Sequence, residues 1–143
     1  MKKLFILLLI LSSCGGGDDT LKAVDVYGNF TDKGFTLERN GGNEWTCKKT
    51  SLQNDMIVQI LGNGPDKIES IKGTFLCYDG DLIEGKQFIS YLASTPYPGA
   101  NPQQAHDWVI SNWGKNADTR FGKAEYALVC NESNSILTIN FIQ

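Results

Sequence analysis

The chain holds one histidine, His106, among 143 residues, and beyond its first three residues the only basic pair is Lys48-Lys49. Its longest apolar run is short, Leu4 to Leu11. Each shortage excludes something. A bilayer-spanning helix takes about 20 apolar residues, so that run cannot cross as one. Nucleic acids and anionic headgroups need concentrated Lys and Arg, so neither is an expected partner. A single histidine without a close cysteine pair cannot supply the four ligands of a structural zinc site. No Gly-x-Ser-x-Gly elbow occurs, so a small hydrolase would have to use His106 with an acidic residue. Adjacent side chains on a helix diverge, which leaves Asp107 poorly placed to orient that ring. Asp79-Gly80-Asp81 followed by Glu84 begins like a calcium loop but lacks its spacing and later ligands. Acidic residues entering a helix N-terminus complement its dipole and need no ion. The expectation is therefore no catalytic residue, no metal and no cofactor.

What is present is most informative at the start. Met1-Lys2-Lys3 is a basic opening, Leu4 to Leu11 an apolar core, and Ser12-Ser13 small residues before Cys14. That order is the signature of an export signal. Leu11-Ser12-Ser13-Cys14 resembles the lipobox of bacterial lipoproteins, a resemblance confined to residues 1–14. It implies removal of residues 1–13, a diacylglycerol thioether on Cys14 and acylation of the new amino terminus. Such chains would anchor the protein firmly to a membrane. In Gram-negative lipoproteins an aspartate directly after the lipidated cysteine favours the inner membrane. Here that position is Gly15, so the resemblance favours the outer one.

Without the leader, 130 residues remain, one domain in size and large enough to bury roughly two-thirds of its unfolded surface. Loss of Lys2 and Lys3 leaves 11 basic against 16 acidic residues, a net charge of −5. Glycines and aspartates from Gly15 to Asp19 read as a tether, and residues 20–33, without clean periodicity, read as a linker with room for one short structured piece, so residues 14–33 precede the domain.

Residues 34–143 read as one α+β domain. Phe35 and Leu37, then Trp45 and Cys47, alternate around Asn40-Gly41-Gly42-Asn43, which predicts a hairpin. Met56 to Leu61 is a more continuous apolar strand. Ile71, Gly73, Phe75 and Cys77 share one face of a fourth. Helical spacing over 84–94 predicts a helix that Thr95-Pro96 stops. Asn101, Pro102 and Gln104 mark the start of a second, with Ala105, Trp108, Val109 and Trp113 inward and Gly114 at its end. Strands over 122–130 and 136–142 close the chain. The expected fold is an antiparallel sheet of about six strands, built from a four-strand meander and a C-terminal hairpin, with two helices packed on one face.

An exported chain meets oxidising conditions, and Cys47, Cys77 and Cys130 remain after lipidation of Cys14. In the meander Cys47 falls opposite about Gln59 and that opposite about Ile71. Cys77 then lies roughly 20 Å further along, beyond the reach of a disulfide. Cys130 is the partner left for either. Cys77–Cys130 is the expected bond, with Cys47–Cys130 or no bond as alternatives.

Thr95-Pro96-Tyr97-Pro98-Gly99 fixes a tyrosine between two prolines, so little entropy is lost when its ring is buried. Tyr97 is accordingly the candidate binding residue, unless it folds back to cap the helices. Together these features predict a lipid-anchored envelope protein that binds another protein, such as an inhibitor or exclusion lipoprotein. The alternative is a small envelope hydrolase or a small-molecule-binding lipoprotein.

Overall fold

The computed structural model describes residues 20–97 and 99–142. Cys14, the leader, the segment from Gly15 to Asp19 and Pro98 lie outside the described residues. The elements run α1 (Ala23–Thr31), β1 (Thr36–Arg39), β2 (Glu44–Thr50), β3 (Asn54–Gly62), β4 (Ile68–Cys77), α2 (Ile83–Ala93), α3 (Pro102–Asn112), β5 (Ala117–Phe121), β6 (Ala124–Cys130) and β7 (Asn134–Phe141). Seven strands form one sheet in the order β1-β2-β3-β4-β7-β6-β5. Every pairing is antiparallel.

The α+β class and the antiparallel sheet match the expectation, but among the described residues the sheet has seven strands and the helices number three. The additional strand, β5, reads Ala-Asp-Thr-Arg-Phe and forms an edge. Charged side chains on an edge discourage pairing with other chains. They also erase the apolar alternation by which a strand is recognised.

The additional helix corrects the tether. Residues 20–33 are folded, and the described domain begins near Thr20 rather than at residue 34. Ala23, Val26 and Phe30 lie at helical spacing and are buried, with Val26 at 0% exposure. Leu21 accepts a backbone hydrogen bond from Ile68, and Ala23 donates to Pro65, so the chain enters along the β3–β4 turn.

All three helices pack on one face. α1 covers β1 to β3, α2 covers β4 and β7, and α3 packs against α2 and β5. The sheet supplies Cys47, Val58, Ile60, Ile71, Phe75, Tyr126, Leu128, Leu137 and Ile139 to this core. α2 sits close because two glycines let it. A Cβ on Gly73 of β4 would overlap Leu92 of α2, and one on Gly85 of α2 would overlap the Phe75 ring. An aromatic cluster fills the space under α1, where Phe30 meets Phe35 edge-on at 5.3 Å and Phe35 stacks on Phe88 at 5.9 Å.

α3 starts as its sequence dictates. The Asn101 side chain accepts from the Gln104 backbone N–H at 3.1 Å, Pro102 occupies the first turn, and Ala105 and Val109 are fully buried. Trp108 and Trp113 are only partly covered. Gly114 follows with φ +81°, a conformation L side chains resist.

Candidate functional site

Tyr97 turns back onto the domain. Its hydroxyl donates to the Phe121 carbonyl at 3.0 Å and meets the Tyr126 hydroxyl at 3.1 Å, and its ring stands edge-on to Phe141 at 4.9 Å. Burial raises the Tyr97 phenol above its ordinary range, although the Tyr126 hydrogen bond pulls the other way. Burial, then the Tyr97 contact, drives the Tyr126 phenol well up. The ring is thus half-buried and both its polar and apolar parts have partners. It is a strut between the α2–α3 loop and the sheet, with one edge on a shallow hollow it shares with Val24, Gly28 and Asp32.

His106 lies half-exposed on α3 with Nδ1 3.0 Å from Asp107 Oδ1. The two do meet, contrary to the expectation from helix geometry, because the contact is made over the solvent-facing surface. This hydrogen bond and one from Gln103 hold the Asp107 carboxyl below the usual carboxylate range. No hydroxyl or thiol is hydrogen-bonded to His106 among the described residues. Ser111, one turn on, donates its proton to the Asp107 carbonyl.

Among the described residues the cysteines Cys47, Cys77 and Cys130 are free. Cys47 lies opposite Val58, and Val58 opposite Gly73, which shifts the expected register by one and two residues. The Cys77–Cys130 pairing is corrected as well. β7 lies between β4 and β6, and Cys77 donates its backbone N–H to Ser133 while Cys130 pairs with Ser135. Two strand spacings put their Cα atoms at least about 9 Å apart, too far for a disulfide. The Cys77 thiol instead donates within its own turn, to Asp79 Oδ1 at 3.3 Å and the Asp81 carbonyl at 3.2 Å. Burial pushes the Cys47 thiol up to about 11.

The most exposed apolar side chains gather elsewhere, at the end of the sheet opposite Pro65. Leu52, in the β2–β3 turn, is 99% exposed; Ile83, opening α2, is 66% exposed; Tyr78, leaving β4, is 61% exposed. Their positions are tied together. Tyr78 donates its backbone N–H to Gln53 and its hydroxyl to Asp55 at 2.7 Å, and Asn54 donates to Glu84 at 2.5 Å. Four carboxylates lie at the same end, Asp55 beside Tyr78 and Asp79, Asp81 and Glu84 about the start of α2. The Tyr78 hydroxyl holds the Asp55 carboxyl below its usual range, and the Asp81 backbone N–H does the same for Asp79. Asp81 accepts from the Ile83 N–H at 2.9 Å and so holds the start of α2. None of the four makes an ion pair among the described residues. The sequence signal for this end was only a turn, Ser51-Leu52-Gln53, with a leucine where polar residues are usual.

Comparisons with protein-family models, curated proteins and solved structures return no match for this chain. Among the described residues, no group of three or more His, Cys, Asp or Glu could hold a metal ion, and no helix is long and apolar enough to cross a membrane.

Proposed function

We propose that this protein is a lipid-anchored bacterial envelope protein that binds another protein without catalysing a reaction, in the manner of an inhibitor or exclusion lipoprotein. The observation that carries this reading is the exposed set Leu52, Tyr78 and Ile83 at one end of the sheet. Exposed large apolar side chains clustered within a charged rim mark interaction sites more often than chance scatter does. The chain enters the fold at the other end, beside Pro65. β3, from Asn54 to Gly62, separates the two ends by about 27 Å. A lipid on Cys14 would hold the Pro65 end near the membrane, since six extended residue steps reach about 20 Å at most. The Leu52 end would then face outward, and if the host is Gram-negative the lipobox resemblance favours the outer membrane. Asp55, Asp79, Asp81 and Glu84 suit a partner that sets lysine or arginine around an apolar centre.

Affinity capture of the mature protein after cross-linking in intact cells tests the reading. One partner in near-equal amount is expected with the unaltered chain, and its loss with Leu52→Asp and with Cys14→Ala. Equal recovery of that partner by Leu52→Asp would remove the Leu52 end from the interface. Absence of any partner would turn attention to small-molecule ligands.

A further inference from the structure

We propose that the sheet face left uncovered by the helices is the contact surface of a symmetric dimer of this chain. An antiparallel sheet with one free face normally alternates apolar inward and polar outward. Here the outward row Lys48–Ile57–Thr74–Ile136–Val129 runs across five neighbouring strands in register, and four of its members are apolar or β-branched. Val129 is 43% exposed, and Leu76 lies beside the row on the same face.

The face is self-complementary about one axis. A two-fold axis running along the strands, between β4 and β7, carries β3 onto β6 and β2 onto β5 of the second copy. It sets Ile57 against Val129 and Thr74 against Ile136, each contact occurring twice, as an isologous interface requires. At the Pro65 end, one row holds Glu44 on β2 and Arg120 on β5 at equal distances from that axis. The same operation therefore brings Glu44 of each copy to Arg120 of the other, with Leu61 beside Glu125 and Ser70 beside Asn140 between them. The intervening row places Gln59 over Ala127 and Lys72 over Thr138, with Thr46 already covered by the Asn40 amide, so no like charges meet there.

The dimensions fit. Six strands of five to ten residues, spaced about 4.8 Å apart, present roughly 750 Å² per copy, near the size of a standard stable interface. Two such faces can pack about 10 Å apart with their strands roughly 30° off alignment, as in sandwich proteins. An axis along the strands also leaves both chain entries at the same end, which suits two anchors in one membrane. That last point alone rests on the lipid-anchor reading.

Two measurements test the dimer on the full mature chain. Sedimentation velocity in detergent is expected to give the mass of two chains. Val129→Asp should raise the dissociation constant tenfold or more while leaving the melting temperature of the monomer unchanged. In membranes, Ile57→Cys with Val129→Cys in a Cys130→Ser background should give an oxidised dimer. Within one chain the two positions lie about 14 Å apart and cannot bond. The pair Tyr91→Cys with Ile110→Cys on the helical side should give none. A monomeric mass at every concentration, or equal cross-linking of both pairs, overturns the proposal. A monomer that still captures its partner would overturn the dimer alone and leave the proposed function standing.

Discussion

The hydroxyls of Tyr97 and Tyr126 meet at 3.1 Å, and that contact ties the loop between α2 and α3 to strand β6. Tyr97 also donates to the Phe121 carbonyl, so the Tyr126 hydroxyl is the donor in the shared bond. Tyr97→Phe removes both bonds and should destabilise the fold by about 1–2 kcal/mol. Tyr97→Ala also removes the ring packed on Phe141 and should cost about 2–3 kcal/mol. Urea denaturation of the two variants measures both. Unchanged midpoints combined with lost partner capture would make Tyr97 a binding anchor rather than a strut.

Alkaline pH should weaken the protein in two stages. Folding raises the Cys47 thiol from 9.0 to about 11 and raises both phenols above their ordinary value of 10.0. Each group is therefore held in its protonated form by the fold. The stability this contributes is complete below the unfolded pKa and is lost as pH climbs towards the folded one. The thiol stage falls between about pH 9 and 11, and the tyrosine stage begins near pH 10. Thermal melts from pH 7 to 11 should show a decline that is shallower between 9 and 10 in Cys47→Ala. A parallel decline in that variant would mean the Cys47 thiol is not protected.

Two glycines in helices should answer alanine with opposite signs. A Cβ on Gly85 would overlap the Phe75 ring, so Gly85→Ala must push α2 off the sheet and should cost about 1–3 kcal/mol. Nothing lies within 4 Å of a Cβ built on Gly28 in α1. Gly28→Ala should therefore stabilise the protein by about 0.5–1 kcal/mol. Calorimetric melting temperatures moving in the same direction would contradict the helix placements.

α1 should be indispensable. Phe30 is 1% exposed, with edge-on rings from Phe35, Phe88 and Tyr91 around it. Phe30→Ala should cost about 3–5 kcal/mol, a large share of the stability of a domain this size. A chain beginning at residue 34 should lack the cooperative thermal transition that one beginning at Thr20 shows. A cooperative transition in the shorter chain would restore the tether reading.

Legibility followed local chemistry. The cap at Asn101-Pro102, the Asn40–Asn43 hairpin turn and the inward set of β4 are local devices, and each appears where its residues predict. Three features escaped. α1 lacks a side-chain cap and carries Gly28 in its middle, so Ala23, Val26 and Phe30 stand out only once the sheet beneath them is known. β5 is held by its pairing with β6 and not by its own pattern. The cysteine register is off because the β2–β3 turn centres half a residue before Gln53, and the irregularity at Leu61/Gly62 slips β4 by one residue against β3. The uncovered face had a faint signal in Met56 to Leu61, where only Gln59 breaks the apolar run and Ile57 and Leu61 fall on the outward side.

The proposed function puts a protein partner at the Leu52 end. Photo-reactive residues placed singly at Leu52, Ile83 and Val24 in the lipidated chain, irradiated in intact cells, test it most directly. Val24 is 51% exposed but lies beside Pro65, where the chain enters. One adduct of defined mass is expected from positions 52 and 83 and none of that mass from position 24. The same adduct from position 24, or none from position 52, would contradict it.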